Sequence, residues 1–523
     1  MNKHLTKRII RVDEIDESFL KFKLTAEQRT KIPKGEVVTF RKSTQPYVEK
    51  GYRQLISRAE FNKVNPVTGT KRAASAGSKL IGIIWDDDPE WVYETDKTKS
   101  SKGEIRTEAL TNKALAFQKI TTEVASIFRE NIEYSDDENV VIVRKVPVDI
   151  LLTVALACCF TGSSDATSIA NYWNKNIPFL RECFPNLDLT EISHDTVRRV
   201  FISLTEKSLQ CFLESFNEWV NQEAKEETCH HFALDGQTCR SSRHIKSDAP
   251  MAVMNAVDIT TKKTCVAHTM IDTKKQEPKY VPALLDRFNI QGATVSLDAL
   301  STSPEIVKAI ISRGGYYLLA LKSNQRKLLS AAKKIVDEAI AKDPNLDPSN
   351  SEKPLDHGRF ASRDYIVLPA KDLPKDLLEK WIGLEEGCII RVKSYTFRKN
   401  SDRNWKSQTE FRWYITCHPY DNGETSEWLI KCVRGHWGIE SFHWTLDMIW
   451  SQDQMQCKYP QYLIARETLS KLAHNILVSF QKIDQEERGI AKPRSERQIG
   501  QDVGCTFESA LSWFSKILKT DSN

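Results

Sequence analysis

The sequence predicts a mixed α/β fold preceded by a helical segment, and three observations carry that expectation. Apolar residues recur at helical spacing from Thr107 to Val220. Short β runs then alternate with helical stretches between His231 and Leu321. A block rich in β runs follows over residues 360–416 before helical spacing returns at Glu427. A chain of 523 residues exceeds one ordinary core, so two to four domains are expected.

The first 80 residues hold 18 Lys/Arg against 8 Asp/Glu, while the remainder holds 57 against 62. A basic arm on a slightly acidic body suits a polyanionic partner, although a solvated basic surface has the same composition. Thr95 to Gly103 is charged, small and unpatterned, as a linker would be. One helix is expected from Pro147 to Phe160, with the run Thr161-Gly162-Ser163-Ser164-Asp165 breaking it and capping a second through Trp173. A third starts at Ser193-His194-Asp195 and carries Val197, Val200, Phe201 and Leu204. Such helices permit a helix-turn-helix in which Arg198 and Arg199 face DNA, or they simply pack a core. Strands are expected from His231 to Leu234, Met251 to Val257, Thr264 to Ile271, Ala293 to Leu297 and Tyr316 to Leu321. Helices are expected around Val281 to Phe288 and from Pro304 to about Arg313. Tyr365 to Leu368, Cys388 to Tyr395 and Phe411 to Thr416 are further β runs, and Leu463 to Phe480 is helical.

Nothing at the N-terminus reads as a secretory signal, and the longest apolar run, Ile150 to Phe160, is about half a membrane span. The twelve cysteines form no C-x-x-C pair. Cys229-His230-His231 lacks a second ligand pair at zinc-finger spacing, so reduced cytosolic thiols are the plain reading.

Two aspartates share a context. Asp235 and Asp298 each end an apolar β run and precede a small residue, Gly236 or Ala299. Ligands of open α/β sheets bind beyond the carboxyl ends of strands, so neighbouring strands would bring these carboxylates together on a divalent cation. A lone aspartate after a strand is more often a cap. A third feature is Arg434-Gly435-His436-Trp437-Gly438-Ile439-Glu440. On one continuous helix Glu440 would share a face with His436, Trp437, His443 and Trp444, an unusual setting for a solvated carboxylate.

Leu234-Asp235-Gly236-Gln237-Thr238-Cys239-Arg240-Ser241-Ser242 resembles the first-aspartate motif of DDE insertion-sequence transposases of the H-repeat-associated branch. Val295 to Ala299 resembles their second-aspartate strand, and Tyr317 to Gln325 the Lys-x-Asn-Gln strand end after it. Arg434 to Glu440 resembles their R-x-HW-x-IE motif, and Ser193 to Phe201 a signature of their helical region. The resemblance covers roughly residues 140–480 with the motifs in family order. Asp356 to Arg363 departs from the pattern, with Ala361 where a glutamate is usual, and the first ~115 residues have no counterpart in shorter members.

The resemblance implies a retroviral-integrase-like, RNase H-like catalytic domain with a β-rich insertion. It implies Asp235, Asp298 and Glu440, 63 and 142 residues apart, as catalytic metal ligands. The expected cofactor is Mg²⁺, with Mn²⁺ able to substitute, as two ions per site. Lys322, Asn324, Gln325, Arg434, His436 and Trp437 join Arg198 and Arg199 as expected DNA contacts. The partners would be terminal inverted repeats and target DNA, bound by a homodimer on paired ends in the cytoplasm, away from any membrane. The expected organisation is a basic extension at 1–115, a helical domain at 116–227 and a first core part at 228–325. A β-rich insertion at 326–426, a glutamate-bearing core part at 427–482 and a tail at 483–523 complete it. A nuclease or resolvase that cuts without joining, and a domesticated DNA-binding protein without chemistry, are the alternatives.

Overall fold

The computed structural model describes residues 112–136, 146–221, 229–243, 249–261, 264–346, 359–399, 405–421 and 424–518, with six short strands before residue 112. Those strands pair antiparallel: Leu5–Lys7 with Val92–Glu94, Thr39–Phe40 with Pro46–Tyr47, and Arg53–Ile56 with Ile81–Ile83. The expected linker at 95–103 and the rest of the basic stretch lie outside the described residues. Asn112–Ile177 and Glu191–Asn523 make one compact unit, from which Pro178–Thr190 is separate. Within that short piece the Arg181 guanidinium donates to the Leu189 carbonyl.

Alternating apolar residues build a mixed eight-stranded sheet. Its strands are β1 (His231–Cys239), β2 (Met251–Asp258), β3 (Thr264–Ile271), β4 (Thr294–Leu297), β5 (Tyr316–Leu321), β6 (Arg359–Pro369), β7 (Cys388–Lys399) and β8 (Trp405–Thr416). They lie in the order β6-β7-β8-β5-β4-β1-β2-β3. Only β1–β4 and β4–β5 pair parallel; the other neighbours are antiparallel.

Successive side chains of a strand face opposite ways, so each face has its own core. Leu234, Val295, Leu297, Tyr317 and Leu319 pack with Val281 and Leu284 of α6 (Glu277–Leu285), Ile306 and Ile310 of α7 (Pro304–Ile311), and Leu328, Ala332 and Val336 of α8 (Arg326–Lys342). On the other face, Leu318, Ile390 and Tyr414 meet Leu429, Cys432 and Val433 of α10 (Glu424–Gly435).

The helical segment comprises α1 (Asn112–Arg129), α2 (Val148–Phe160), α3 (Ala166–Cys183), α4 (His194–Ser203) and α5 (Glu206–Asn221). Every residue of α2 except Asp149 is buried, which removes it from any DNA surface. Gly162, at φ +87°, turns the chain between α2 and α3, where a Cβ would press on the Ile449 carbonyl. Residues 184–193 separate α3 from α4, more than the three or four residues of a helix-turn-helix turn.

Three expectations are corrected. The expected β-rich insertion at 326–426 opens with α8, because Leu328, Ala332 and Val336 recur every four residues against the core, and it also holds a short α9 (Lys375–Lys380). Residues 483–523 are no bare tail. They finish α12 (Pro460–Arg488) and add α13 (Glu496–Gly504) and α14 (Phe507–Leu518), which bury Ile499, Val503, Phe507, Leu511 and Phe514. The helical spacing from Glu427 to Leu446 belongs to two helices, α10 and α11 (Gly438–Trp450), broken at His436-Trp437.

Candidate active site

Strand register brings the two aspartates together. Leu234 of β1 is the parallel partner of Leu297 of β4, so Asp235 and Asp298 come next on adjacent strands, about 4.8 Å apart by sheet spacing. Asp298 ends its strand as expected. Asp235 does not: β1 continues to Cys239, because its antiparallel ladder with β2 runs on through Gln237–Val253 and Cys239–Met251. The opening arises instead where β4 stops and β1 loses its parallel neighbour.

The surroundings of the two carboxylates differ. Asp298 accepts from the Leu300 and Ser301 amides at 2.9 and 3.3 Å, capping the turn Ala299–Ser301. Asn324 Nδ2 and Gln325 Nε2 donate to the Ala299 and Thr302 carbonyls at 2.6 and 2.9 Å, so these two amides brace that turn. Asp235 is half-buried and bears the Lys274 ammonium, 3.3 Å from Oδ1, while the same ammonium donates to the Gly236 carbonyl at 2.7 Å. Burial, and after it the Asp298 charge, lift the Asp235 carboxyl above the usual carboxylate range, with Lys274 opposing.

A third acid stands beside them that the sequence did not assign. Glu277 opens α6 just before Pro278, is 1% exposed and is pushed up to about 8 by burial and by the Asp235 and Asp298 charges. Its Oε1 has no hydrogen-bond partner. A Cβ at Gly236 would collide with that oxygen, so a glycine is required there for Glu277 to lie against β1.

The expected third ligand, Glu440, lies in the first turn of α11 and is exposed. Its helix packs on β1, and one turn later His443 Nδ1 stands 3.7 Å from Asp235 Oδ2. Asn255 Nδ2 of β2 lies 3.0 Å from His443 Nε2. Burial, reinforced by Lys274 and Lys471, lowers His443 to about 3, so the ring is neutral.

The break before α11 disposes of the expected single stripe around Glu440. Gly435 approaches the His231 ring closely, and His436 turns inward, its Nδ1 2.8 Å from Ser296 Oγ, which also holds His231 Nε2 at 2.7 Å. Burial lowers His436 to about 4, against the pull of Asp298. Trp437 takes the guanidinium groups of Arg412 and Arg363 over its ring at 4.2 and 5.2 Å. Trp444 is 64% exposed.

The other expected DNA contacts are scattered. Arg199, Lys322 and Arg434 are exposed, and Arg198 lies over the Tyr459 ring at 4.7 Å. His230 reaches Asp258 at 3.0 Å while His231 reaches Ser296, so the pair faces different partners. Ala361 lies on β6 opposite Thr396.

Among the described residues no three His, Cys, Asp or Glu side chains converge closely enough to hold an ion. A hard divalent cation nevertheless fits the donor set. Asp235, Asp298 and Glu277 supply oxygens, one of them orphaned and buried, and the Lys274 ammonium stands where positive charge is wanted. Among the described residues no helix is long and apolar enough to cross a membrane.

Residues 230–476 match the family described as the transposase DDE domain. The chain is 29% identical over 274 residues to "Uncharacterized protein in dhlA 3'region" of Xanthobacter autotrophicus, covering 52% of this chain and 87% of that one. It is 26% identical over 335 residues to "H repeat-associated putative transposase YhhI" of Escherichia coli (strain K12), covering 63% and 84%. To "H repeat-associated putative transposase YbfD" of the same organism it is 28% identical over 233 residues, covering 44% and 88%. These matches support a DDE insertion-sequence transposase, the family the motifs resemble.

Proposed function

We propose that this chain is a DDE insertion-sequence transposase that cuts DNA at transposon ends and joins them to target DNA through Asp235, Asp298 and Glu440. The observation that carries the reading is the adjacency of Asp235 and Asp298 across the parallel β1–β4 pair, with the glutamate helix packed on the same strand. The order β3-β2-β1-β4-β5, parallel only about β4, supports an RNase H-like core to which β6–β8 add an antiparallel wing.

Two Mg²⁺ ions held by the three carboxylates would stabilise the attacking and leaving oxygens of an in-line displacement at phosphorus. The protein's own contribution is placement. The amides of Leu300 and Ser301 fix the Asp298 carboxylate, and the side-chain amides of Asn324 and Gln325 fix that turn. Lys274 balances charge at Asp235 until DNA and cation arrive, and neutral His443 supports the same carboxylate without competing positive charge. Glu440 would complete the set from a helix already seated against β1. Arg434, Lys322, Arg199 and the Trp437 platform offer phosphate and stacking contacts on a dimer holding paired ends.

The test is Mg²⁺-dependent cleavage and joining of DNA carrying the element's ends. Asp235→Asn, Asp298→Asn and Glu440→Gln are each expected to bind DNA yet lose at least about 10²-fold in both steps, beyond the usual effect of an outer metal-site partner. Cleavage without joining in the wild-type chain marks a nuclease. DNA binding without chemistry marks a domesticated binding protein.

A further inference from the structure

We infer that Glu277 is a fourth carboxylate of the metal site, donating an oxygen to the cation shared by Asp235 and Asp298. The inference rests on the proposed reading of that site and adds a ligand from a different element. The DDE motifs place their acids on two strands and the helix after the insertion. Glu277 comes instead from the start of α6, between β3 and β4.

Several independent placements point the same way. Helix α6 packs on the turn Ala299–Ser301, and the segment Lys274–Gln276 before it packs on β1. Glu277 therefore lies against β1 at Gly236, on the helix that packs on the Asp298 turn. Its side chain is 1% exposed, and its Oε1 finds no donor among the neighbouring groups. A buried acceptor left unmatched is costly, and a bound ion is one thing that completes it.

The approach is also built into the backbone. Gly236 follows Asp235, and any side chain there would strike the Glu277 carboxylate. The Lys274 ammonium is committed to Asp235 and the Gly236 carbonyl. The two aspartates and the buried oxygens of Glu277 surround one ammonium, and a hard divalent cation takes oxygen ligands of this kind. The steps required are movement of Lys274 away from Asp235 and closer approach of the three acidic side chains, which in the cation-free chain stand too far apart to share an ion.

The experiment is Mn²⁺ titration of the full chain without DNA, following free Mn²⁺ by electron paramagnetic resonance and the metal-induced rise in Tm. Glu277→Gln keeps the size of the side chain and removes its charge. Gly236→Ala keeps Glu277 but displaces its carboxylate, which guards against a folding defect in the first variant. Asp235→Asn reports on the site as a whole, and the exposed Asp337→Asn serves as a remote control. Glu277→Gln and Gly236→Ala are each expected to weaken Mn²⁺ binding about tenfold or more, with a metal-free Tm close to wild type. Wild-type affinity in both variants, alongside weakened binding in Asp235→Asn, overturns the role of Glu277 and spares the aspartates. Unchanged binding in Asp235→Asn overturns the carboxylate site itself, and the inference with it.

Discussion

Helices α11 and α12 are neighbours in sequence and both carry mixed polar and apolar residues, yet they occupy opposite kinds of place. On α11, Ile439, Phe442, Leu446 and Trp450 are buried, while Glu440, Trp444 and Met448 face outward. On α12 every residue from Tyr462 to Val478 is buried, including Arg466, Glu467, Lys471, His474 and Asn475. It packs against α2, α4, α5, α13 and β3. Its polar groups are buried rather than exposed: Lys471 pairs with Glu467 at 3.2 Å and reaches His268 at 3.1 Å, and Asn475 bonds Cys265 and Asn217, while Glu467 Oε1 is left without a hydrogen-bond partner. Gln452, just after α11, donates to Glu467. The contrast separates scaffold from working surface. A polar residue on α12 fixes how strand and helix layers meet, whereas on α11 Glu440 and Trp444 are open to something outside the chain.

Breaking the scaffold should have the largest effect. Lys471→Ala or Glu467→Ala leaves a buried charge unmatched and is expected to lower unfolding free energy by about 3–5 kcal/mol, read from denaturant midpoints. A loss below about 1 kcal/mol in both would erase the contrast.

Proton uptake sharpens it. On α11, burial and the neighbouring Asp453 raise Asp447 to about 6. The unfolded carboxyl ionises near 3.8, so this group's penalty is absent below that pH and grows as pH rises towards 6. Asp447→Asn is expected to raise stability by about 1 kcal/mol at pH 7, the shift being discounted for partial exposure, and to leave pH 3.5 unchanged. Facing α12, His268 is held neutral by burial and by Lys471 and Arg287, with its pKa depressed. Its contribution is complete above 6.5 and is lost as pH falls. The two helices should thus respond to pH with opposite sign.

The smallest effect belongs to the outer face. Trp444→Ala should change stability by less than about 0.5 kcal/mol while weakening DNA binding measurably by fluorescence anisotropy. A larger stability loss would make Trp444 a packing residue.

The sheet was legible because its signals are local. Thr264–Ile271 and Tyr316–Leu321 have the expected bounds, and Asp298 stands where an apolar run meets a turn. Long-range features were not. Whether β1 ends at Asp235 depends on pairing with β2, and the bend at His436-Trp437 depends on Ser296, which is 140 residues earlier in the chain. In sequence Glu277 lies with Asp272 and Lys274 in a family-like stretch that assigns none of them a role. Only the arrival of two other elements buries it. The run from Tyr462 to Val478 reads as partly charged, and nothing local says that its charges find partners.

Because α12 threads the middle of the unit, contacts made early and late in the chain depend on each other. Trp450 Nε1 donates to the Cys159 carbonyl, Tyr462 Oη accepts from the Ala166 amide, and Arg466 reaches Ser164. During synthesis the end of α2 and the start of α3 therefore emerge about 300 residues before their central partners. Until then α2 has apolar surface with no mate, a period in which chaperones or self-association compete with folding. A messenger cut short within α11 would yield a product with the carboxylates' strands but without the helix that joins the layers, so truncated copies should be cleared by proteolysis rather than persist as inhibitors.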